Sequence, residues 1–377
     1  MRPRHATGAA ARTRPPLARA LRLAAGVLAL GLLAGACAAP VEPVAPSQDV
    51  IALLLPESKA ARYESVDRPS FEQTVARRCP DCRVLYANAD QDAARQQQQA
   101  ESALTQGAGV LVLDAVDAAA AVSIVEQAKR RGVPVIAYDR FIADAPLDYF
   151  VGTDGERVGQ VQGEALLREL ALRRTGPDDP PDGLLVVNGS PTDPNSARFR
   201  LGLDAALAGA PVEVLASYDT PDWSPDKAQA WVSDQLIQYG RRVAAVYAAN
   251  DGTAGGAISA MRAAGFDPVA PVTGQDAELA AIQRIVRGEQ TMTVYRSLSE
   301  QGRSAAELAV LVVHGARPPL TATIDGVPAL LLTVVPVDIT NVRRVIVDGG
   351  VYTTEEICVE PYRQACVDAG LLEEGTG

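Results

Sequence analysis

The chain holds 377 residues, 47% of them apolar and 21% charged, with a net charge of −11. That length suits two domains of ordinary size, the composition suits a folded chain, and the acidic balance argues against a nucleic-acid partner, which would need a basic face. Two histidines, His5 and His314, and five cysteines exclude most Ser-His-Asp triads, HExxH zinc proteases and His-rich metal centres.

Residues 1–22 carry six arginines and no acid. An apolar run, Leu23–Leu33, and then Ala34-Gly35-Ala36-Cys37 follow. This is the order of a secretory signal peptide over residues 1–36, and the run is shorter than the about 20 residues a spanning helix takes. Cysteine at the cleavage point resembles a bacterial lipoprotein signal, with Ala34 where leucine is preferred and Leu33 one place earlier. The alternative is an ordinary secreted protein with Cys37 unpaired. Cleavage would leave the remainder six charges more negative, at −17. Residues 37–48 read as an extended tether starting at a lipidated Cys37, which places the protein at the outer face of the cell membrane.

The body alternates strands and helices. Strands are predicted at Val50–Leu55, Arg83–Ala87, Val110–Leu113, Val133–Tyr138 and Tyr149–Val151, and helices at Ser70–Arg78, Asp90–Gln106 and Ala118–Arg131. The Gln96–Gln99 run reads as a solvated helix face, and Gly132 as a helix C-cap. The pattern restarts with a helix at Glu156–Leu172 and a breaker-rich loop at Gly176–Gly183. Strands at Leu184–Val187, Val212–Leu215 and Val243–Tyr247 then alternate with helices at Ser196–Ala208, Pro225–Gln238 and Ala254–Ala264. A strand at Thr291–Tyr295, a helix at Ser299–His314 and a late strand at Leu331–Val337 complete the order. Repeated βα units imply α/β lobes, each a doubly wound parallel sheet. The tail is too short for a domain of its own and must rejoin sheets already built. This gives a multi-strand hinge between lobe 1 (49–152 plus 297–333) and lobe 2 (153–296 plus 334–377).

Ligands of such sheets bind beyond the carboxyl ends of the strands. The residues there are Pro56–Tyr63, Asp114, Asp139-Arg140, Asn188–Asn195, Asp222-Trp223, Asn250-Asp251, Gln275-Asp276 and Arg296. They hold no nucleophile–base pair, and the reading is of a binding protein, not an enzyme, with no cofactor and no metal. Carboxylates, amides and arginine forks suit vicinal hydroxyls, and an aromatic ring suits the C–H face of a sugar. Each feature also has a plainer reading. Asp139-Arg140 fits a structural ion pair, Trp223 a surface plug, Asn250-Asp251 a helix N-cap and Arg296 a surface salt bridge. Gly252–Gly256 lacks the phosphate-loop spacing and lysine and fits close helix packing. Lys59 either enters the cleft or solvates its loop.

Five strings, Ala137–Arg140 (AYDR), Asn188–Asn195 (NGSPTDPN), Asn250–Ala257 (NDGTAGGA), Gly274–Asp276 (GQD) and Gln290–Tyr295 (QTMTVY), resemble the bacterial D-xylose-binding proteins, in order and with similar spacing from Val50 to Val337. These are type I periplasmic sugar receptors of ABC import systems. The resemblance implies a monomer that closes two lobes over a monosaccharide, D-xylose or a similar aldopentose, and delivers it to a membrane permease. By position it implies ligand contacts from Arg62, Tyr63 (usually tryptophan), Asp139, Arg140, Asn195, Trp223, Asn250, Asp276 and Arg296, where the family has lysine. Competing readings are a sensory co-receptor for a membrane kinase or chemoreceptor, and an exported glycosidase using Asp139 and Asp276 as its two carboxylates.

If Cys37 is lipidated, four cysteines remain. Cys79-Pro80-Asp81-Cys82 follows a helix and precedes a strand, the reverse of a thioredoxin motif, and no second CxxC supports zinc. The simplest of three connectivities pairs Cys79 with Cys82 and Cys358 with Cys366.

Overall fold

The computed structural model describes residues 46–373 apart from 48, 175, 177–181 and 321. The signal segment, Cys37, most of the tether and much of the Gly176–Gly183 loop lie outside the described residues.

Val50–Leu55 (β1) is apolar at every position and buried at every position, which is what a central parallel strand covered on both faces requires. It lies between Arg83–Asn88 (β2) and Val110–Leu113 (β3). Val135–Tyr138 (β4) and Tyr149–Thr153 (β5) extend the same parallel sheet. Alternation along β1 divides the core. Ile51, Leu53 and Leu55 face helices Arg68–Arg78 (α1) and, late in the chain, Leu298–Val313 (α9), through Phe71, Val75, Leu308 and Val312. Val50, Ala52 and Leu54 face Ala93–Thr105 (α2) and Ala118–Arg130 (α3). Each such buried aliphatic side chain contributes about 1.5–3 kcal/mol. Asp92 and Asp117 cap these two helices by accepting from Arg95 N and Ala120 N. Gly132 has φ +71°, the left-handed C-cap conformation expected of it.

The chain leaves the first sheet at Thr153 and enters Gly155–Arg173 (α4) of a second lobe. There Asp182–Asn188 (β6) is flanked in parallel by Val212–Asp219 (β7) and Val243–Ala248 (β8). Pro194–Leu207 (α5) joins α4 on one face, and Pro225–Tyr239 (α6) with Asp251–Ala263 (α7) covers the other. After Leu279–Val286 (α8), Thr293–Arg296 (β9) runs back toward the first lobe and α9 packs on the first sheet.

Two differences from the sequence reading concern the tail. The predicted strand Leu331–Val337 is two strands in two sheets: Val327–Leu332 (β11) pairs with β5, and Val334–Val337 (β12) pairs antiparallel with β9. Thr333 between them is another crossing between the lobes. A short strand, Ala322–Ile324 (β10), adds an antiparallel edge to the first sheet, so neither the edge nor the β9–β12 pair is parallel. The glutamine run also differs. Gln96 is buried, donating to the Asp114 carbonyl and accepting from Val116 N, and Gln99 donates to the Asn88 carbonyl. These amides satisfy backbone groups at strand ends instead of facing solvent.

Beyond β12, a π-helical turn at Arg343–Val347 and short helices Thr354–Ile357 (α10) and Arg363–Asp368 (α11) pack on α8 through Ile346, Ile357, Cys366, Ile282 and Ile285. Disulfides join Cys79 to Cys82 and Cys358 to Cys366.

Candidate functional site

The carboxyl ends of both parallel sheets point at each other across a cleft. Their βα loops deliver side chains to one narrow cavity of about 30 Å³, lined by Arg62, Tyr63, Asp139, Arg140, Asn195, Trp223, Asn250, Asp276 and Arg296 together with Glu57, Ala60, Asp193, Phe199 and Gln275. All nine residues singled out in the sequence thus share one cavity. Glu57, Asp193 and Gln275 stand in the same post-strand loops and were legible by position alone. Phe199 sits one turn into α5, where only helical spacing from Asn195 points to it. Asp114 lies behind the wall, fully buried, 3.4 Å from Arg140. Lys59 stays on the rim, 3.5 Å from Asp222 and well exposed.

A chain of ion pairs runs along the cavity. Arg62 clamps Asp67 with Nε at 2.9 Å and Nη2 at 2.7 Å, and its Nη1 donates to Asp139 at 2.8 Å. From the other lobe, Arg296 at the end of β9 donates to both Asp139 oxygens and, through Nη2, to Asp276 at 3.2 Å. Arg140 lies 2.7 Å from Asp193, and its Nη1 donates to the Ala115 carbonyl at 2.8 Å. Burial opposes the charge of Asp139, but Arg296 and then Arg62 outweigh it and hold the carboxyl well below its usual range. Burial pushes Asp193 and Glu57 upward, with Arg140 opposing in both cases. The arginine and aspartate readings thus merge: these residues form buried ion pairs and also wall the cavity.

Trp223 is buried, not a surface plug. Its Nε1 donates to Asp193 at 3.1 Å, and its ring crosses Phe199 at 6.4 Å between centroids. A side chain at Gly189 would lie 2.0 Å from that ring, so glycine there lets the indole lie flat on the loop. Tyr63 carries the Arg62 guanidinium 4.8 Å above its ring. Asn250 caps α7 in a reciprocal capping box with Thr253 while still lining the cavity. Asp251, expected only as a cap residue, is instead a buried hub: it accepts from Glu278 N, Gln290 Nε2 and Thr293 Oγ1. The helix accordingly begins at Asp251, three residues before the predicted Ala254. Asp139, Trp223 and Asp276 hold left-handed φ values of 61°, 53° and 96°. Non-glycine residues keep such conformations where the surrounding structure enforces them, commonly at binding sites.

Contacts cross the cleft directly. Asn195 Nδ2 donates to the Asp139 carbonyl at 3.2 Å, and Thr192 Oγ1 to the Val116 carbonyl at 3.1 Å. With the Arg140–Asp193 and Arg296–Asp139 pairs, these describe a closed cleft. The lining residues contain no histidine, cysteine, serine or lysine. Asp139 and Asp276 both grip Arg296, an arrangement suited to binding groups and not to an acid and a base flanking a scissile bond. Such a wall offers fixed charged donors and acceptors with aromatic faces in a water-poor space.

Residues 51–317 match the Periplasmic binding protein domain family. A D-xylose-binding periplasmic protein of Haemophilus influenzae is 34% identical over 283 residues, 73% of this chain and 82% of that protein. The multiple sugar-binding periplasmic protein SbpA of Azospirillum brasilense is 31% identical over 332 residues, 82% of this chain and 91% of that protein. An ABC transporter solute-binding protein from Clostridium phytofermentans, solved with bound β-D-glucose, superposes with a TM-score of 0.74 at 26% identity, covering 82% of this chain and 99% of its own.

Proposed function

This chain belongs to the periplasmic sugar-binding protein family of type I, and from that premise we propose that it captures an aldopentose, D-xylose or a close relative, for an ABC permease. Like its relatives it is a binding protein and not an enzyme. The observation that carries the reading is the single cavity in which Arg62, Asp139, Arg296 and Asp276 form one ionic wall while Trp223 and Phe199 supply aromatic faces. Sugar hydroxyls donate to the carboxylates and Asn250, and accept from the guanidinium groups and Asn195. The indole covers the sugar's C–H face. The open form admits the sugar, and closure over it is stabilised by contacts only the closed form makes. Export through the N-terminal signal, with Cys37 as a lipid anchor, keeps the receptor beside its permease.

A thermal-shift panel of pentoses and hexoses tests this directly, since a ligand of the folded state raises Tm by mass action. Xylose is expected to give the largest rise. Trp223→Ala and Asp276→Ala are each expected to weaken binding roughly tenfold or more, with native circular dichroism retained. A panel in which no monosaccharide shifts Tm, or two variants of unchanged affinity, overturns the reading.

A further inference from the structure

Far from the cleft, the fold joins two parts of the sequence that have no obvious relation. Cys79 caps the C-terminus of α1, and His314 caps the C-terminus of α9. These helices pack side by side, and the Cys79 Sγ lies 4.0 Å from His314 Nε2. The ligand atoms of Cys79, Cys82 and His314 all fall within 4.8 Å of one another. His314 Nδ1 lies 2.8 Å from the Val310 carbonyl. A carbonyl only accepts, so in the neutral ring Nδ1 carries the proton and Nε2 turns its lone pair toward the sulfurs, the tautomer a metal-ligating histidine needs.

We propose that, when the Cys79–Cys82 bridge is reduced, Cys79, Cys82 and His314 bind one zinc-class divalent ion. The bridge closes a Cys-Pro-Asp-Cys turn in which Cys82 N donates to the Cys79 carbonyl at 3.0 Å, with Cα atoms 5.2 Å apart. A tetrahedral ion with metal–sulfur bonds of about 2.3 Å needs its sulfurs separated to roughly 3.8 Å. Rotation of the partly exposed Cys82 supplies that while buried Cys79 stays in place. Two thiolates and an imidazole are soft and borderline donors of the set that zinc prefers, and the remaining position is left to water.

The two helix ends decide between this and a redox-catalytic CxxC. Both present the negative end of a helix dipole to the cluster. That disfavours a lone thiolate, which a reactive cysteine needs, and favours a cation held among thiolates. The electron balance is simple. A thiol or phosphine reductant supplies two electrons to the S–S bond, the sulfurs take up two protons, and those protons leave as the ion binds.

The test uses the purified chain reduced anaerobically with a phosphine and titrated with Co²⁺, whose thiolate charge-transfer and tetrahedral d–d bands report the site, followed by displacement with Zn²⁺. One equivalent is expected to bind only after reduction. His314→Ala should weaken it roughly tenfold or more, and Cys79→Ser should remove the charge-transfer band. The Cys358→Ser/Cys366→Ser double variant should bind as the parent does. Zn²⁺ should also protect Cys79 and Cys82 from alkylation in the parent but not in His314→Asn, a readout that does not depend on the alanine variant folding. Absence of bands after reduction, bands that survive Cys79→Ser, or equal affinity and protection without His314 overturns the proposal.

Discussion

Asp251 and Glu278 meet behind the cleft wall, and both hold their protons unusually tightly. Burial raises Asp251 to about 7 against the opposing charge of Arg284. Burial, then the charges of Asp251 and Asp276, raises Glu278 to about 8 from an ordinary 4.5. A carboxyl with a folded-state pKa above its unfolded value keeps a proton that the unfolded chain has already released. The unfolded state then binds fewer protons, and stability falls as pH rises between the two values. Asp139 works in the opposite direction, because its depressed pKa contributes stability that is lost only as pH falls below the ordinary carboxylate range, about 4. Tm in a pH series is therefore expected to decline from about pH 5 toward 8, and Glu278→Gln to make that decline shallower. An identical slope in the variant would remove Glu278 from the account. In the sequence Asp251 reads only as part of a cap, because the groups that make it a hub, Gln290 and Thr293, are about 40 residues away along the chain.

Among the elements, the pairing of α4 with α5 is the closest fit. A Cβ on Gly159 would lie 1.8 Å from the Phe199 carbonyl oxygen, and one on Gly202 would lie 1.9 Å from the Glu156 carbonyl oxygen. The two backbones touch where each helix spends a glycine, despite that residue's cost of about 1 kcal/mol in a helix interior. Gly202→Ala is accordingly expected to destabilise by about 1–3 kcal/mol, seen as a lower urea midpoint with an unchanged slope. A midpoint equal to the parent's would mean the helices part without cost. Both helices are legible in their periodicity, but their contact is not, since it depends on a residue that local propensity counts as a weakness. The split between β11 and β12 is hidden for a different reason. Thr333 is the one polar residue of the otherwise apolar Ala329–Val337, too slight an interruption to mark where the chain changes sheets. The β10–β11 hairpin did carry a signal: Asp325-Gly326, both at positive φ (48° and 83°), is a favoured two-residue hairpin turn.

At the level of the molecule, ion pairs sort by whether closure makes them or merely inherits them. Arg62–Asp67 lies within one lobe, so opening the cleft would leave it in place. Arg140–Asp193 joins the lobes, so opening the cleft would part it. The sequence placed the arginines, Asp139 and Asp276 at strand ends, but it had no means of saying which partners span the gap; that depends on how two separately folded sheets meet. Asp193 shows the difference, since Pro-Thr-Asp-Pro reads as a helix cap and it does cap α5, accepting from Asn195 N at 2.9 Å. Asparagine caps about as well as aspartate, so Asp193→Asn preserves α5 while removing the charge that faces Arg140 and the acceptor that faces Trp223. The Trp223 bond lies within one lobe and is lost in both states, whereas the Arg140 contact is made only across the lobes, so its loss falls on closure. The sugar dissociation constant is expected to rise roughly tenfold for the lost ion pair, while the Tm of the sugar-free protein falls only by the share due to Trp223. Asp67→Asn should do the reverse, lowering the sugar-free Tm by stripping Arg62 of its bidentate partner. Calorimetric titration and thermal melts of the two variants separate the cases. If Asp193→Asn lowers the sugar-free Tm as much as Asp67→Asn does, the closed form is the resting state, and the sugar stabilises a cleft that is already shut.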